Sequence, residues 1–560
     1  MSEKEVSRII VIGASAAGLR AAARARRLLK NAQITVIDEA SIISYSGCGM
    51  PYFVSGDVEN PRKLRETTYG LIRDPEFFLS TKDLKVVTET QVEKIDRDNK
   101  KVFCKSLKSG ETSEYPYDKL VLATGSSPII LPNIPEGIER VSTFKTLSQA
   151  IYIRQALQDK KINSVGIIGA GPIGCELAEA FSSLWGAEVV LIDAAPTILP
   201  NMIDAEMATA VEKYLNSEGV EVYTDCPLNG IDESDEGIII KTGEDDFPVD
   251  HAVVAVGVRP NSRLAADCGL TVGSTGGIVV DERMVTSDAD IYAAGDCVEV
   301  KHLVSGKSLL MPLGSLANRQ GRTAGSNLGG GDERFGPVVG SAVVKIFDMN
   351  VAATGLTEAA AHQDGFNVGC AWGTFMDKAD FFPEAANIHL KMVFDKDSGR
   401  LLGLQGYGKG DLVKRVDVFA SLLKNERKLD DILDAEFAYA PPYAPAVDPL
   451  FSLACAARNS IIDGIEAIPP DSLIGDRLVL DVREVSETKV RPLREKNLQH
   501  IPLGDLRTRW QEIPNDKPVV CVCPKGLRSA EALRILKEKG FHNGVYLGGG
   551  LLMKVAPKSA

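Results

Sequence analysis

Two copies of one local pattern constrain the fold of this chain more than any other feature. In each copy, a short apolar run leads into a glycine-rich turn, and a second apolar run ends on an aspartate. The first copy is Arg8–Ile12, Gly13-Ala14-Ser15-Ala16-Ala17-Gly18 and Gln33–Ile37 with Asp38; the second is Ser164–Ile168, Gly169-Ala170-Gly171-Pro172-Ile173-Gly174 and Glu188–Ile192 with Asp193. This pattern is typical of a buried parallel strand that turns into a helix. The repeat therefore predicts an α/β protein.

Both turns have the features of a Rossmann-like dinucleotide-binding unit. The amides that open the helix are expected to hold a pyrophosphate, and the aspartate a pair of ribose hydroxyls. Ser15 replaces the middle glycine of the first copy, whereas the second copy has all three glycines. Asp193 is followed by two alanines and no arginine, which favours NADH over NADPH without excluding the latter. The predicted cofactor-binding residues of the two turns are Gly13, Ser15, Ala16, Gly18, Asp38, Gly169, Gly171, Ile173, Gly174 and Asp193.

Length and charge limit the remaining choices. A chain of 560 residues is too long for one hydrophobic core, so about three to five domains are expected. The formal net charge of -13 argues against nucleic acid and anionic membranes as main partners. We expect no signal peptide and no membrane span, because no apolar run reaches about 18 residues. Ten dispersed cysteines form neither a disulfide framework nor a zinc pattern, so we predict a cytoplasmic location and no metal site.

One cysteine lies where it can react beside a bound cofactor. Cys48 has a glycine on each side in the stretch Ser44-Tyr45-Ser46-Gly47-Cys48-Gly49-Met50-Pro51-Tyr52, directly after the first nucleotide-binding pattern. A single cysteine in a turn is more often a packing residue, but the surrounding motifs favour a reactive thiol. The residue five positions on is Phe53, which excludes a CxxxxC redox pair. We expect turn amides, helix N-termini and the cofactor to lower the pKa of this thiol.

Two further stretches complete a family resemblance. Tyr117–Gly125 ends in Ala-Thr-Gly, and Asp290–Cys297 contains Gly-Asp; alone, each is most simply a core strand with a turn. Together with the two glycine-rich turns, they resemble the ATG and GD motifs of the flavoprotein disulfide reductases. The resemblance implies tightly held FAD, an NADH donor and contact of Asp296 with the flavin ribityl chain. It adds five predicted cofactor-binding residues besides Asp296: Ser44, Ala123, Thr124, Gly125 and Gly257.

The Cys48 segment favours one branch of that family. Single-cysteine members with SxxxCG at this point include NADH peroxidase, NADH oxidase and the coenzyme A disulfide reductases. Peroxidases and oxidases resemble one another in a histidine inside the first glycine turn, where this chain has Ala16. This difference favours the coenzyme A branch, with coenzyme A as substrate or bound ligand. Four basic residues are candidates for binding its phosphates: Arg20, Arg24, Lys63 and Arg65.

A third unit resembles the dimerisation domain of the same family. Its stretch Phe437–Pro445 is a proline-rich loop and resembles the segment in which a tyrosine from one subunit reaches the active-site sulfur of the other. The resemblance implies a homodimer with shared active sites and a catalytic role for Tyr439. A second tyrosine that coenzyme A disulfide reductases often present is replaced in Asp380–Pro383. That departure fits a different sulfur substrate equally well.

The last unit contains a second candidate nucleophile. After the linker Ile468–Asp471, a buried strand over Val519–Val522 opens into the loop Cys523-Pro524-Lys525-Gly526-Leu527-Arg528-Ser529 and then a helix. The amides of such a loop form an anion cradle. The segment resembles a single rhodanese domain, which implies a persulfide on Cys523 and a substrate-binding role for Arg528. The loop is one residue shorter than in related dual-specificity phosphatases, so phosphate hydrolysis is not expected.

These observations predict four domains and one type of chemistry. We assign residues 1–145 and 256–335 to FAD binding, 146–255 to NADH binding, 336–460 to dimerisation and 468–560 to the rhodanese domain. The predicted function is FAD-dependent reduction of persulfides, polysulfides or coenzyme A disulfide by NADH. An NADH oxidase or peroxidase that cycles a sulfenic acid, and a sulfur carrier or redox sensor with slow turnover, remain alternatives. The sequence does not decide whether Cys523 passes sulfur to Cys48.

Overall fold

The computed structural model describes residues 7–135, 137–243, 245–472, 474–514 and 517–554. They divide into two compact units. The first comprises Met1–Ile192, Cys226–His302 and Gly306–Val338, and the second comprises Asp193–Asp225, Leu303–Ser305 and Val339–Ala560. Both predicted glycine-rich turns lie in the first unit, and the Tyr439 and Cys523 loops lie in the second.

The first unit is built on a parallel sheet whose strands are apolar on both faces. The strand order is Ile291–Ala293, Lys119–Leu122, Arg8–Ile12, Gln33–Ile37 and Lys85–Val87. The helix Ala16–Leu28 covers this sheet and packs against the helix Gly314–Leu328. Small residues permit the close approach, because a Cβ at Gly321 would lie 2.3 Å from the carbonyl oxygen of Ala17.

A second parallel sheet of the first unit repeats the arrangement. Its strands are, in order, Glu188–Ile192, Ser164–Ile168, His251–Val254 and Val141–Thr143. The helix Pro172–Ser182 begins where the strand Ser164–Ile168 has ended in its glycine-rich turn. Both sheets therefore place a helix N-terminus at the carboxyl end of their central strand.

Shorter elements complete the first unit. Its antiparallel ribbons comprise Thr90–Asp96, Lys101–Ser106 and Thr112–Pro116; Leu228–Glu233, Ile238–Thr242 and Asp246–Val249; Ser126–Pro128 and Val258–Pro260; and Val300–Lys301 and Ser308–Leu309. The remaining helices are Met50–Ser55, Pro75–Lys82, Leu147–Gln158 and Arg263–Asp267, with 3-10 turns at Gly47–Gly49 and Pro61–Leu64.

The second unit contains an antiparallel sheet with helices packed on it. The strand order is Ala342–Ile346, Met349–Gly355, Leu401–Gly408, Asn387–Asp395 and Val368–Met376. The helices are Ala205–Ser217, Glu358–Gln363, Val413–Lys424, Leu429–Leu433 and Pro449–Ile462, and a further strand is Val220–Tyr223.

The last part of the second unit is a parallel sheet of its own. The strand order is Ala467–Ile468, Gly544–Leu547, Val519–Val522, Leu478–Asp481 and Leu498–His500. Its helices are Val485–Val490, Leu503–Arg509 and Leu527–Glu538, with a 3-10 turn at Trp510–Glu512. Two Rossmann-like sheets, an α+β part and this C-terminal sheet confirm the predicted fold class. Among the described residues, no helix combines the length and apolar character that crossing a membrane requires.

Candidate active site

Cys48 lies at the surface of the first unit, in the 3-10 turn Gly47–Gly49 that runs into the helix Met50–Ser55. A neighbouring turn supports it, because the Ser46 amide donates a hydrogen bond to the Leu64 carbonyl oxygen at 2.9 Å. A Cβ at Gly49 would lie 2.5 Å from a methyl group of Leu64. The glycine after Cys48 therefore lets the Leu64 side chain pack against the turn, and the thiol remains exposed.

The helix Met50–Ser55, which follows Cys48, contacts the part of the first unit that contains the second glycine-rich turn. The Tyr52 hydroxyl and the Glu176 carboxyl group are hydrogen-bonded, and Glu176 belongs to the helix Pro172–Ser182. The Trp185 indole N–H donates to the Val54 carbonyl oxygen at 2.7 Å. The Arg154 guanidinium donates to the Phe53 carbonyl oxygen at 2.6 Å and lies 4.5 Å from the centre of the Phe53 ring. These contacts fix the position of the Cys48 segment relative to the helix Pro172–Ser182, which begins at the second glycine-rich turn.

The charges around Cys48 oppose the predicted low thiol pKa. Partial burial, and then the negative charges of Glu176 and Asp296, raise the pKa of Cys48, while the Lys145 ammonium acts in the opposite direction. Burial, supported by the charge of Glu179, raises the pKa of Glu176 to about 7. Burial and the neighbouring carboxylates therefore outweigh the protein groups that lower the pKa of the thiol, and the predicted contribution of the cofactor stays a prediction.

The two glycine-rich turns have matching backbone geometry. Gly13 and Gly169 both adopt φ = +110°, a left-handed conformation that favours glycine. A Cβ at Gly13 would lie 2.1 Å from the Ala123 carbonyl oxygen, and one at Gly169 would lie 2.6 Å from that of Ala255. Gly18 and Gly174 sit equally close to their own turns, with a hypothetical Cβ 1.9 Å from a carbonyl oxygen in both cases.

The outer residues of these turns remain open. Ser15 and Ile173 are exposed, Ala16 is half-buried, and a Cβ at Gly171 would meet nothing within 4 Å. The helix N-termini can therefore receive a phosphate group without displacing protein atoms.

The aspartate after each second strand holds the adjoining loop. An Asp38 carboxylate oxygen accepts a hydrogen bond from the Ala40 amide at 2.8 Å, and Asp193 accepts one from Ala195 at 2.7 Å. The other oxygen of Asp38 accepts from the Ala14 amide in the glycine-rich turn at 2.5 Å. Burial raises the pKa of Asp38, although these two amides act against the rise. The amide of Ser44 donates to the Ala14 carbonyl oxygen at 3.0 Å, which brings Ser44 to the same turn.

The ATG and GD stretches meet near the same sheet edge. The Ser126 hydroxyl donates to Asp296 at 2.9 Å, and the Lys145 ammonium lies 3.8 Å from the same carboxylate. The Thr124 hydroxyl donates to the Asn261 carbonyl oxygen at 2.6 Å. Ala123 follows the strand Lys119–Leu122 directly.

Two glycines with left-handed backbones complete this edge. Gly125 accepts a hydrogen bond from the Asn261 amide at 2.9 Å, and Gly257 accepts one from the Ile129 amide at 3.0 Å. In the first unit, the open helix N-termini and the carboxylates of Asp38 and Asp296 are groups of the kind that can bind a dinucleotide.

Only some of the predicted basic residues come together. Arg20 and Arg24 line a shallow cavity with two arginines that the sequence analysis missed, Arg27 and Arg322. Glu333 bridges two of the four, because it lies 3.2 Å from Arg24 and 3.1 Å from Arg322. This group of four arginines, hereafter the arginine cluster, joins the helices Ala16–Leu28 and Gly314–Leu328. The contact between these two helices could not be predicted from local sequence.

The other two predicted basic residues lie beside the Cys48 turn. Arg65 follows the turn Pro61–Leu64, and its Nε atom is buried without a hydrogen-bond partner. Lys63 instead forms an exposed ion pair with Glu66 at 3.0 Å. Arg65 therefore has an unused donor near the thiol, whereas Lys63 is engaged with its neighbour.

In the second unit, Tyr439 lies on an exposed loop. Its side chain is 53% exposed, and two large aromatic residues nearby are more exposed still, Tyr443 at 71% and Phe381 at 76%. The loops that carry them are connected, because the Ala379 amide donates to the Pro441 carbonyl oxygen at 3.3 Å. These three residues form what we call the aromatic surface.

Cys523 lies at the end of the strand Val519–Val522 and is almost fully buried, with 1% exposed. The Gly526 amide donates a hydrogen bond to its Sγ atom at 3.1 Å, as an anion cradle requires. Behind the loop, a Cβ at Gly550 would lie 2.5 Å from the carbonyl oxygens of Cys523 and Pro524. This glycine allows the closing segment of the chain to pack directly against the sulfur-bearing loop.

Two arginines at the Cys523 loop are paired with carboxylates. Arg528 makes a bidentate contact with Glu487, at 2.6 and 2.7 Å. Arg483 and Asp481 form a second pair at 2.7 Å that is almost fully buried. Glu487 was not among the predicted residues, although its position three residues after Glu484 at the start of a helix matches a capping box.

The antiparallel sheet of the second unit backs the rhodanese-like loop. The Thr374 hydroxyl donates to the Gly549 carbonyl oxygen at 2.8 Å and lies 3.0 Å from His389 Nδ1. A Cβ at Gly548 would lie 2.9 Å from the Trp372 ring. The glycine segment behind Cys523 is therefore held between the loop and the sheet.

Three family descriptions match this chain. "Pyridine nucleotide-disulphide oxidoreductase" matches residues 7–321, its dimerisation domain matches residues 341–450, and "Rhodanese-like domain" matches residues 471–552.

Individual proteins are similar over most of the chain. The solved structure of an NAD-dependent persulfide reductase from A. fulgidus is 39% identical, with a TM-score of 0.94 over 98% of this chain and 100% of that one. An NAD(P)H coenzyme A polysulfide/persulfide reductase from Pyrococcus horikoshii is 32% identical over 81% of this chain and 99% of its own length. A protein named NADH oxidase from Methanocaldococcus jannaschii is 34% identical over 79% and 97%.

Proposed function

Because this chain belongs to the pyridine nucleotide-disulphide oxidoreductase family, we propose that it uses NADH and FAD to reduce sulfur–sulfur bonds at Cys48. Its substrates are persulfides, polysulfides or coenzyme A disulfide. The observation that carries the proposal is the exposed thiol of Cys48, whose segment is joined by the Tyr52–Glu176 hydrogen bond to the helix after the second glycine-rich turn. The names of the A. fulgidus and P. horikoshii relatives, and the rhodanese-like domain that follows, support a sulfur substrate.

The reaction follows from the chemistry of a single thiol. The Cys48 thiolate attacks the S–S bond, one half of the substrate leaves as a thiolate, and the other half stays on Cys48 as a disulfide or persulfide. Bound FAD supplies the transfer of two electrons from NADH to this sulfur. With one proton, those electrons break the new S–S bond, release the second half and restore the thiolate. Persulfide, NADH and a proton thus give a thiol, hydrogen sulfide and NAD⁺.

The residues of the two turns are proposed to hold the cofactors. Asp38 and Asp296 serve FAD, the first at the ribose and the second at the ribityl chain. Asp193 serves the ribose of NADH, and the absence of a following arginine favours NADH over NADPH. The division into FAD, NADH, dimerisation and rhodanese domains at the boundaries given above is part of this proposal.

Coenzyme A recognition is assigned to basic groups of the first unit. The arginine cluster presents several guanidinium groups to one shallow cavity, which suits the phosphates of coenzyme A. Arg65, with its unused Nε donor, is assigned to the end of the ligand near Cys48. Lys63 has the weaker case, since Glu66 already pairs with it.

We assign the aromatic surface to a homodimer interface. A dimerisation domain is present, and exposed aromatic side chains of this kind mark protein contacts. Tyr439 is proposed to reach the active-site sulfur of the second subunit. The ten cysteines are all free, which supports a reducing cytoplasm as the location.

An NADH oxidase activity is the second candidate, because the M. jannaschii relative carries that name. In this alternative, NADH reduces oxygen to hydrogen peroxide, the peroxide oxidises Cys48 to a sulfenic acid with release of water, and a second NADH returns the sulfenic acid to the thiol with release of another water. Ala16 argues against this alternative, because it stands in the first turn where oxidases and peroxidases resemble one another in a histidine. Oxygen uptake with NADH and no sulfur substrate, faster than persulfide turnover, would favour the oxidase.

Replacing Cys48 with Ser tests the proposal directly. We expect anaerobic NADH oxidation with coenzyme A persulfide, coenzyme A disulfide or polysulfide to fall by about 1000-fold or more, because the covalent nucleophile is lost. Flavin reduction by NADH in a stopped-flow measurement should persist. Sulfide release is assayed in parallel.

Cys226→Ser is the matched control, since Cys226 is a half-buried free cysteine outside the proposed site. The control should keep the turnover of wild type, and turnover that survives in Cys48→Ser would overturn the assignment.

A further inference from the structure

We propose that Glu487 cancels the charge of Arg528 and thereby restricts the Cys523 loop to sulfur donors that bring at most one negative charge to the reacting sulfurs. Organic persulfides meet this condition, because any further charges, such as the phosphates of coenzyme A, lie far from the S–S bond, whereas thiosulfate does not. The inference rests on the proposed sulfur chemistry and names a residue that sets which donor the loop accepts.

The Arg528–Glu487 contact leaves little of the guanidinium charge for a ligand. Both Glu487 oxygens receive a guanidinium N–H, at 2.6 and 2.7 Å, and planar bidentate pairing of this kind is strong. One of these oxygens also accepts the Glu484 amide at 2.8 Å. The hydrogen bonds from Arg528 lower the pKa of Glu487 to about 2, so the carboxylate stays charged at neutral pH.

Three cations of this part are counted: Arg483, Lys525 and Arg528. Among the described residues, ion pairs are seen for the two arginines, with Arg483 neutralised by Asp481 at 2.7 Å, and none is seen for Lys525. Burial, and then the Lys525 charge, lower the pKa of His389 to about 4, so this imidazole is neutral. Glu484 adds a negative charge that acts on Arg528. With Glu484 counted against Lys525, these groups carry no net positive charge, so they offer nothing to balance the second charge of a dianion.

The remaining features of the loop suit a donor with an organic arm. The Gly526 amide, 3.1 Å from Sγ, stabilises one sulfur anion. Two aliphatic side chains beside the loop face solvent: Leu527, which is 66% exposed, and Leu552, which is 38% exposed. Leu552 is joined to the loop, because its amide donates to the Pro524 carbonyl oxygen at 3.0 Å. An apolar arm can cover these side chains, whereas a small inorganic dianion cannot.

The transfer itself needs no oxidant or reductant. The Cys523 thiolate attacks the outer sulfur of R–S–S–H, the bond between the two sulfurs breaks, and a new S–S bond forms on Cys523. The thiolate R–S⁻ leaves, and the proton stays on the persulfide or passes to the thiolate. With thiosulfate, the same attack would expel sulfite and bring two negative charges to the loop.

The test measures persulfide formation on Cys523 in the full-length holoenzyme without NADH. The two probes are the persulfide of N-acetylcysteamine, whose arm is uncharged, and thiosulfate; the product is alkylated and measured by peptide mass spectrometry. We expect wild type to react faster with the organic persulfide. In Glu487→Gln, which frees Arg528, the ratio of the thiosulfate rate to the persulfide rate should rise about tenfold or more.

Two further variants separate charge from fold. Glu487→Asp keeps the carboxylate and should keep the low ratio. Glu495→Gln removes a charge of the same domain that pairs with Lys554 at 2.6 Å, and it should leave the ratio unchanged.

An unchanged ratio in Glu487→Gln, or equal rates with both probes in wild type, would overturn the inference. Because no step of this assay uses NADH or Cys48, failure of the reductase proposal would appear only in the turnover assay. The two failures are therefore distinguishable.

Discussion

At the scale of single residues, the reactive thiol of the first unit is controlled by charges that arrive from other elements. Partial burial, and then the charges of Glu176 and Asp296, raise the pKa of Cys48, and Lys145 opposes them. The Glu176 carboxyl group has a pKa of about 7, so its charge changes within the working pH range. The nucleophile is therefore coupled to the protonation of a neighbouring acid.

Replacing Glu176 with Gln should lower the pKa of Cys48, because a negative charge beside the thiolate is removed. Alkylation of Cys48 by iodoacetamide at pH 8 should become about three- to tenfold faster, since each pKa unit corresponds to tenfold in thiolate population. The difference from wild type should shrink below about pH 7, where Glu176 is protonated in wild type as well. The measurement is the pH dependence of the Cys48 alkylation rate by peptide mass spectrometry.

Lys145→Met is the partner variant with the opposite expected sign. Removing this ammonium should raise the pKa of Cys48 and slow the alkylation. Equal shifts in the same direction for both variants would contradict the electrostatic account.

The two nucleophiles could be predicted from sequence, and their charged neighbours could not. Cys48 and Cys523 each lie in a local motif whose glycines and following helix are adjacent in the chain. Glu176 and Glu487 reach these sites from other helices, through contacts that form only on folding. For the pKa of Cys48, the local amides could be counted from sequence, whereas the burial and the distant carboxylates that raise it could not.

At the scale of secondary-structure elements, one buried lysine on a strand contacts carboxylates of two helices. Lys391 on the strand Asn387–Asp395 is fully buried and contacts Asp204 at 2.9 Å, Glu206 at 2.5 Å and Glu358 at 2.6 Å. These three carboxylates lie close enough together to hold a metal ion, but Lys391 contacts all of them. Burial alone would lower the pKa of Lys391, and the carboxylates more than offset it.

Lys391→Met should destabilise the fold strongly. The variant leaves buried carboxylates without their cation, which typically costs about 3–5 kcal/mol of unfolding free energy. Chemical denaturation followed by circular dichroism measures the loss. Lys409→Met is the control, because its exposed pair with Asp348 at 3.3 Å should contribute about 1 kcal/mol or less. Equal losses in the two variants would show that the buried cluster is not the cause.

Element boundaries were most predictable where strands are buried on both faces. The strands Arg8–Ile12, Ser164–Ile168 and Val519–Val522 coincide with apolar runs that a glycine-rich turn or a cysteine loop ends. The antiparallel strands of the second unit carry polar residues such as Lys391 inside the core. A buried lysine interrupts the apolar pattern, and only the folded neighbours explain it.

At the scale of the whole molecule, the aromatic surface predicts assembly. Phe381, Tyr439 and Tyr443 would remain in contact with water in a single chain. In a homodimer, this surface would be buried and each chain would contribute a tyrosine to the other.

Phe381→Asp should weaken the dimer by at least about 2 kcal/mol, because a charge would enter the centre of an apolar contact. Multi-angle light scattering after gel filtration should show a shift toward the mass of one chain on dilution. Leu107→Asp, at an exposed hairpin turn of the first unit, is the control and should leave the mass unchanged. A dimer of full strength in Phe381→Asp would show that this surface is not the interface.

The contact between Gly549 and Thr374 has a consequence for any attempt to separate the C-terminal sheet from the antiparallel sheet. Trp372 is only 5% exposed, and Gly548 lies against its ring; the neighbouring glycine carbonyl accepts the Thr374 hydroxyl. Separating the two parts at Ile468–Asp471 would uncover an indole and remove the Gly549 acceptor of a buried hydroxyl. The linker is therefore not all that joins the two parts, and neither of them, separated, would keep the surface it has in the intact protein.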